Sequence, residues 1–330
     1  MSLDLTPVEE AFRRARIAVA SHTDKMAKAH ATWREETATE LVLANTHPVV
    51  RFADFTRGEE STIGADWLWW WVGQDGTSFG ALVQAKKLTF TEADTAQVKY
   101  RHSKGRQFTD LLNAAKDLEV PAMYAVYFGG LGYRSGWPCE KEPPGCDECE
   151  RLTITMVPVL AYSQSPTPAH AAELARQYGV PLENLTDAET WWPTLPLPTV
   201  PLATDLRDFL IRPQDGAREV AQAVMRLLIT FRSRQFERAT PETALPADSI
   251  TADRVFTDLP DDRLHNGNRY FEHVLRGLRR TPPGYVLDIV NGNAPPTWLA
   301  DQVAGVSVVQ LPARGHPKPP VKRPRDGPAG

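Results

Sequence analysis

Two strand-like runs joined by a short turn constrain the fold more than any other stretch of the sequence. The runs read ADWLWWWVG (65–73) and FGALVQAKK (79–87), and Gln74-Asp75-Gly76-Thr77-Ser78 lies between them. An Asp-Gly pair in a short connection between β-rich runs is a strong β-hairpin signal. The sequence therefore predicts two adjacent antiparallel strands.

The surrounding chain predicts an α/β fold around this hairpin. Apolar or alanine positions recur at helical spacing in Phe12, Ala15 and Val19, and a second helix is expected around Glu36–Ala44. Further strand-like runs and a helix near 103–118 follow. The predicted parts are N-terminal helices (1–46, the second contributing to the core), an α/β core (47–162) with a cysteine-containing insertion (129–151), a helical extension (163–240), a mixed C-terminal region (241–311) and a disordered tail (312–330).

Composition narrows the class of protein. The chain has 330 residues, 42% apolar content and nine tryptophans, which is enough for a packed core. A net charge of −4 does not indicate a protein that coats nucleic acid, although a local basic groove stays open. No run of 18 uncharged apolar residues and no secretory signal are readable, so we expect a cytoplasmic protein that makes no contact with a membrane.

The hairpin brings three chemically distinct side chains together. The start of its first strand lies opposite the end of its second, so Asp66 is expected close to Gln84 and Lys86. Strand periodicity places Gln84 and Lys86 on one face. Carboxylate, amide and phosphate oxygens suit Mg²⁺, and a lysine helps to activate water and offsets charge that develops on phosphate. The pattern predicts a site that cleaves phosphodiesters.

These residues also carry a resemblance. Gly64-Ala65-Asp66, a strand, a turn and Gln84-Ala85-Lys86 resemble the PD-(D/E)XK nuclease superfamily, the restriction-endonuclease-like fold, in its variant with glutamine at the second acidic position. Over about residues 33–162, the segment EET (35–37), the GADW block, VQAKKL and a helix with Lys104 and Gln107 resemble a group of poorly characterised bacterial proteins assigned to that fold.

The resemblance implies a fold, a cofactor and an activity. It implies an αβββαβ core and a metal-dependent nuclease acting on DNA in bacterial defence or mobile-element biology. Mg²⁺ or Mn²⁺ would be held by Asp66, Gln84 and a glutamate of the first core helix. Glu36 and Glu40 are the matching positions and share one helical stripe; Glu36 is preferred.

A second class of function stays open beside the nuclease. Gln84 lacks the negative charge of the usual Glu or Asp, so a metal is held less tightly. This favours a binding or regulatory protein that keeps the nuclease-like fold, whereas Asp66 and Lys86 favour catalysis. A protein partner or a second copy of the chain is compatible with either class.

A basic cluster flanks the predicted site. Its position beside the site favours a phosphate groove over a solvated surface. The expected nucleic acid is DNA. The residues expected to contact it are Lys87, Lys99, Lys104, Arg106 and Gln107. For Trp67 and the run Trp69–Trp71, we expect core packing in preference to a platform for base stacking.

Three cysteines lie in the insertion. Cys139, Cys146 and Cys149 fall within eleven residues, and their odd number does not fit a secreted disulfide framework. The Cys-x₂-Cys pair plus a third thiol in a Gly- and Pro-rich loop is compatible with a structural Zn²⁺ site whose fourth ligand the sequence does not identify. Reduced thiols in a loop are the alternative.

Overall fold

The computed structural model of the protein describes residues 6–55, 67–100, 106–135, 137, 146–159, 167–186, 209–239 and 277–312. These residues form a mixed nine-stranded sheet packed against helices, which confirms the α/β class. The helices are α1 (Pro7–Lys28), α2 (Glu35–Thr46), α3 (Arg106–Asp117), α4 (Asp147–Arg151), α5 (Pro168–Tyr178), α6 (Ala217–Ala239) and α7 (Gly284–Val290). The strands are β1 (Val50–Asp54), β2 (Trp67–Val72), β3 (Ser78–Phe90), β4 (Ala96–Val98), β5 (Ala122–Tyr127), β6 (Ile154–Pro158), β7 (Val180–Pro181), β8 (Leu278–Arg279) and β9 (Gly305–Gln310).

The first helix is capped at its N-terminus by its own side chains. The Thr6 hydroxyl accepts a hydrogen bond from the backbone N–H of Glu9, and the Glu9 carboxylate accepts one from the N–H of Thr6, which together form a capping box. Phe12, Ala15 and Val19 recur at helical spacing and are buried. The Phe12 ring lies 6.3 Å from that of Trp69, so α1 covers the Trp69 face of the sheet.

The predicted hairpin is confirmed. Strands β2 and β3 are antiparallel, with Trp67 opposite Val83. Gly76 adopts φ +79° in the turn, a conformation that glycine reaches without strain. The Asp75 carboxylate accepts hydrogen bonds from the backbone N–H (3.0 Å) and the hydroxyl (2.6 Å) of Thr77, and the hydroxyl bond lowers the pKa of Asp75. The turn is thus fixed by its own side chains.

The tryptophans of β2 are core residues. The exposed fraction is 8% for Trp67, 6% for Trp69 and zero for Trp70 and Trp71. The Trp69 and Trp71 rings stack at 5.9 Å on the face covered by α1. The Trp70 ring points to the opposite face, where the guanidinium carbon of Arg279 lies 5.2 Å from its centroid. The prediction that these tryptophans pack in the core is therefore confirmed, and they do not form an exposed platform for base stacking.

The C-terminal region supplies an interior strand of the sheet. The strand order is β1-β9-β2-β3-β5-β6-β7, with β4 and β8 paired to β3. Strand β9 is antiparallel to β1 and parallel to β2. A Cβ at Gly305 would collide with the ring of Trp67, so glycine permits this close pairing. The series α2-β1-β2-β3-α3-β5 contains the elements of the expected αβββαβ order, but the short strand β4 lies between β3 and α3, and β9 separates β1 from β2.

The helices predicted in the extension are present as α5 and α6. The proline-rich stretch WWPTLPLPTVPL and residues 313–330 of the predicted tail lie outside the described residues. The apolar run at 285–290 forms most of α7. In the described part of the chain, no helix combines the length and hydropathy needed to cross a membrane.

Candidate functional site

The predicted site lies on β3, at the point where this strand extends beyond β2. Strand β2 begins at Trp67, opposite Val83, so β3 has no described β2 partner from Gln84 onward. On its other side, β3 pairs in parallel with β5 through Lys87. Gln84 and Lys86 share one face and are 1% and 2% exposed. Asp66, the predicted carboxylate, lies outside the described residues.

Lys86 is held by α3. Its Nζ donates to Oε1 of Gln107 at 3.0 Å and lies 5.9 Å from the centroid of the Tyr124 ring. Helix α3 is amphipathic and buries Phe108, Leu111, Leu112 and Ala115, which fixes the side of the helix that Gln107 occupies. Gln107, predicted to contact nucleic acid, therefore contacts the lysine of the site.

Gln84 is a buried amide that has no partner in the described part of the chain. Among the described residues, neither its Oε1 nor its Nε2 makes a hydrogen bond. Buried polar groups are satisfied in the great majority of cases, and leaving one unsatisfied costs about 1–3 kcal/mol. The side chain therefore retains one acceptor and two donor hydrogens for a ligand.

Glu35 of α2 contacts strand β3. Its Oε1 accepts a hydrogen bond from the backbone N–H of Lys87 at 2.9 Å. Leu82 N–H points to β5, where it donates to the Pro121 carbonyl, and N–H groups alternate along a strand. The Lys87 N–H, and hence the Glu35 carboxylate, thus lies on the opposite side, where β2 has not yet begun.

The glutamates expected at this place, Glu36 and Glu40, are both exposed. Glu35 was missed although the sequence contains the signal. Ala38, Thr39 and Val42 are buried and lie three, four and seven residues after Glu35, so Glu35 shares their face of α2.

The expected basic groove is only partly described. The Lys87 Nζ donates to the backbone carbonyl of Trp33 at 2.6 Å and lies 5.3 Å from the Trp33 ring, so its ammonium fixes the segment before α2. Lys99 follows β4 and is exposed. Lys104 and the side chain of Arg106 fall outside the part that the structure describes.

Two of the three cysteines are described. Cys146 and Cys149 are partly buried, and the backbone N–H of Cys149 donates to Sγ of Cys146 at 3.4 Å at the start of α4. Cys139 lies outside the described residues. Within the described ranges, no three His, Cys, Asp or Glu side chains are grouped to hold a metal ion.

A separate cluster of charges links α4 to α1, and within it Arg16 and Glu183 are buried whereas Glu150 is exposed. Arg16 lies 3.2 Å from Glu183 and 3.1 Å from Glu150, and Arg151 Nε lies 3.7 Å from Glu183. Burial raises the pKa of the Glu183 carboxyl above its ordinary value, and Arg16 and Arg151 offset part of that shift. The cluster lies apart from β3. Its charges are ion-paired within it, and among the described residues Oε1 of Glu183 meets Arg16 and Arg151 without a hydrogen bond, whereas Oε2 accepts one from Arg16.

Comparison with known proteins places the chain in one family. Residues 8–309 match the family described as "Family of unknown function (DUF6615)", and since this span is more than half of the chain, the protein belongs to it. No curated protein and no solved structure gives a significant match.

Proposed function

We propose that this member of the DUF6615 family is a metal-dependent nuclease that hydrolyses phosphodiester bonds in DNA. The observation that carries the proposal is the pair Gln84 and Lys86 on β3. Lys86 is 2% exposed and lies two residues after Gln84. Gln84 is 1% exposed, and its amide has no described hydrogen-bond partner. Such groups are costly to bury, and they recur where a ligand completes their contacts.

The oxygen atoms around this pair fit a hard divalent cation. Gln84 offers an unpartnered amide oxygen, and Glu35 holds a carboxylate beside β3. Asp66 directly precedes Trp67, the residue paired with Val83, and supplies the second carboxylate of the proposal. Mg²⁺ prefers such oxygen ligands and keeps several waters. Glu35 replaces Glu36 in this proposal, because Glu36 is exposed.

A bound Mg²⁺ would polarise the phosphate and lower the pKa of an attacking water. The protein's own residues position the reactants. Lys86 stabilises negative charge on the phosphoryl oxygens, since an ammonium fixed in a buried site requires little reorganisation during the reaction. Gln107 positions Lys86, because its amide oxygen fixes the direction of the ammonium through the 3.0 Å hydrogen bond.

The proposal is tested by incubating the purified protein with plasmid, linear and single-stranded DNA and with RNA, in Mg²⁺, Mn²⁺ or EDTA. We expect cleavage that requires metal and that Asp66→Ala, Glu35→Gln and Lys86→Ala each reduce. Lys86→Ala should leave metal binding intact, measured by calorimetry, whereas Asp66→Ala should weaken it. Glu36→Gln, which changes an exposed neighbour of Glu35, is the matched control and should cleave like wild type. Cleavage that survives EDTA, or that Lys86→Ala leaves unchanged, would refute the proposal.

One observation favours a second candidate. The side chain at position 84 is a neutral amide, so the site holds a divalent cation less tightly than a carboxylate would. The alternative is a nuclease-fold binding or regulatory protein. It is favoured if wild type and Gln84→Glu are both inert on every nucleic acid tried, while wild type binds a protein or nucleic acid and Asp66→Ala leaves that binding unchanged.

A further inference from the structure

We infer that the connection between α1 and α2 is a docking surface for the phosphate backbone of duplex DNA. This basic connection comprises the last turn of α1 and the loop to α2, residues 25–34 (KMAKAHATWR), and contains Lys25, Lys28 and Arg34 but no acidic residue. The inference rests on the proposed function, because it assigns a substrate path to the same site. It adds residues outside the cluster at 86–107 that the sequence indicated.

The basic connection is fixed next to the site by two sets of contacts. At its end, Lys87 Nζ donates to the carbonyl of Trp33, and the Trp33 ring packs edge-on against Tyr133 at 5.5 Å. At its start, the Asp24 carboxylate accepts from the N–H of Tyr133 at 2.7 Å. The Tyr133 hydroxyl donates to the carbonyl of Leu88 at 2.7 Å. Both ends are thus held against the stretch of β3 that directly follows Lys86.

Its cations are available for a partner. Lys25, Lys28 and Arg34 are all exposed. Within the described ranges of the chain, none of the three makes an ion pair. Of the neighbouring acids, Asp24 accepts from the N–H of Tyr133, Glu35 accepts from the N–H of Lys87, and Glu36 is exposed. The Lys87 ammonium donates to the Trp33 carbonyl, whereas Lys25, Lys28 and Arg34 are exposed, as is Lys99 after β4.

The position of Arg34 is the strongest sign of a function outside the fold. Arg34 is the N-cap residue of α2 and makes no capping hydrogen bond. N-caps favour Ser, Thr, Asp or Asn, and the positive end of the helix dipole disfavours a cation. Lys25 and Lys28, by contrast, occupy the last turn of α1, where the dipole favours them. A departure from local preference marks a candidate functional position, and the ligand that matches an exposed arginine is an anion.

The partner that fits is a chain of phosphates. Lysine and arginine side chains contact phosphates without reading sequence, and such contacts fix the position of a nucleic acid on a protein. A strand that enters past Lys25, Lys28 and Arg34 would have its flanking phosphates held while a phosphodiester reaches Lys86. The basic connection therefore contributes affinity and register, and the β3 site contributes chemistry.

The test measures binding of a fluorescent DNA duplex in EDTA, by anisotropy over a range of salt concentrations, so that no cleavage is needed. The variant is Lys25→Gln/Lys28→Gln/Arg34→Gln. We expect affinity about tenfold lower or more and a salt slope shallower by about two to three, since each lost phosphate contact removes about 0.9 from the slope. The control Arg14→Gln/Arg51→Gln/Arg280→Gln removes the same charge from exposed sites elsewhere and should retain the wild-type slope.

The outcomes separate this inference from the proposed function. If wild type cleaves DNA and the triple variant keeps its affinity, salt slope and KM, the docking surface is wrong and the nuclease stands. If no protein cleaves any nucleic acid but the triple variant alone loses DNA binding, the surface stands and the nuclease is wrong. If the control variant loses as much affinity as the triple variant, the attraction comes from overall charge and the surface is refuted.

Discussion

The cluster around Arg16 and the site around Gln84 both bury polar side chains, but they satisfy them differently. Arg16 is 6% exposed and meets the carboxylates of Glu183 and Glu150 within 3.2 Å. Gln84 is 1% exposed, and its amide has no described hydrogen-bond partner. Breaking a buried ion pair destabilises the fold, whereas a buried amide without a described partner leaves its polar atoms for a ligand. Substitutions in the first should therefore change stability, and substitutions in the second should change function.

The largest expected effect comes from Arg16→Met. It leaves the buried Glu183 carboxylate without its closest cation, and removing one partner of a buried ion pair costs about 3–5 kcal/mol. Urea denaturation measures the loss. The exposed pair Arg13–Glu10, 3.3 Å apart, provides the control: Arg13→Met should change the free energy of unfolding by less than about 1 kcal/mol.

The loss in Arg16→Met should also depend on pH. Burial raises the pKa of Glu183 and Arg16 lowers it, so removal of Arg16 raises the pKa further. A carboxyl whose pKa is raised on folding favours the folded state below its unfolded pKa, and this contribution is lost as pH rises through the folded pKa. The destabilisation should therefore be smaller in acid and complete above the folded pKa of Glu183. An equal loss at every pH would show that the charge of Glu183 is irrelevant to the cluster.

Lys86→Met should have the next largest effect, and the quantity that changes is the rate of DNA cleavage. Loss of a fixed cation that stabilises the transition state lowers kcat by about 10²-fold, or about 2.7 kcal/mol. Single-turnover cleavage in saturating Mg²⁺ measures this step. Lys116→Met, at the other end of α3, should cleave at the wild-type rate. A thermal melt of Lys86→Met is measured beside the cleavage assay. A variant that is inactive only because it is unfolded would show no cooperative thermal transition.

Gln84→Glu adds a negative charge at position 84 and should increase the difference between the Gln84 site and the Arg16 cluster. A second carboxylate should tighten Mg²⁺ binding by about tenfold, because ligand charge tunes affinity for hard cations. Without metal the variant should be less stable than wild type, since a buried carboxylate is costly to ionise. Thermal melts with and without Mg²⁺ measure both effects. If Mg²⁺ fails to raise the melting temperature of Gln84→Glu more than that of wild type, Gln84 does not contact the metal.

Gln84→Leu should have the smallest effect on stability and the opposite sign from Arg16→Met. Replacing an unsatisfied buried amide by an apolar group of similar size should increase the free energy of unfolding by about 1 kcal/mol. The same change should reduce metal-dependent cleavage. A large loss of stability would mean that the amide is satisfied within the folded chain and that the two regions do not differ as described.

Local patterns in the sequence predicted the secondary structure and the strand pairing nearest in the chain. The Asp-Gly turn predicted the antiparallel pairing of β2 with β3, because a short connection leaves few other arrangements. Helical spacing predicted α1 and the burial of Phe12. Helical spacing also places Glu35 on the buried face of α2. Glu36 was predicted instead, because the resemblance to the nuclease superfamily was preferred over this spacing.

Contacts between distant residues were decided only by the tertiary structure. The pairing of β9 with β1 and β2 brings residues 305–310 between strands that begin at Val50 and Trp67, and no local preference specifies that position. The roles of Lys87 and Gln107 were equally hidden, since their partners Trp33 and Lys86 lie 54 and 21 residues away. Backbone periodicity and turn chemistry act over a few residues and can be read from the sequence. Strand insertion and side-chain partners depend on which distant surfaces bury each other, and this is settled only when the whole core packs.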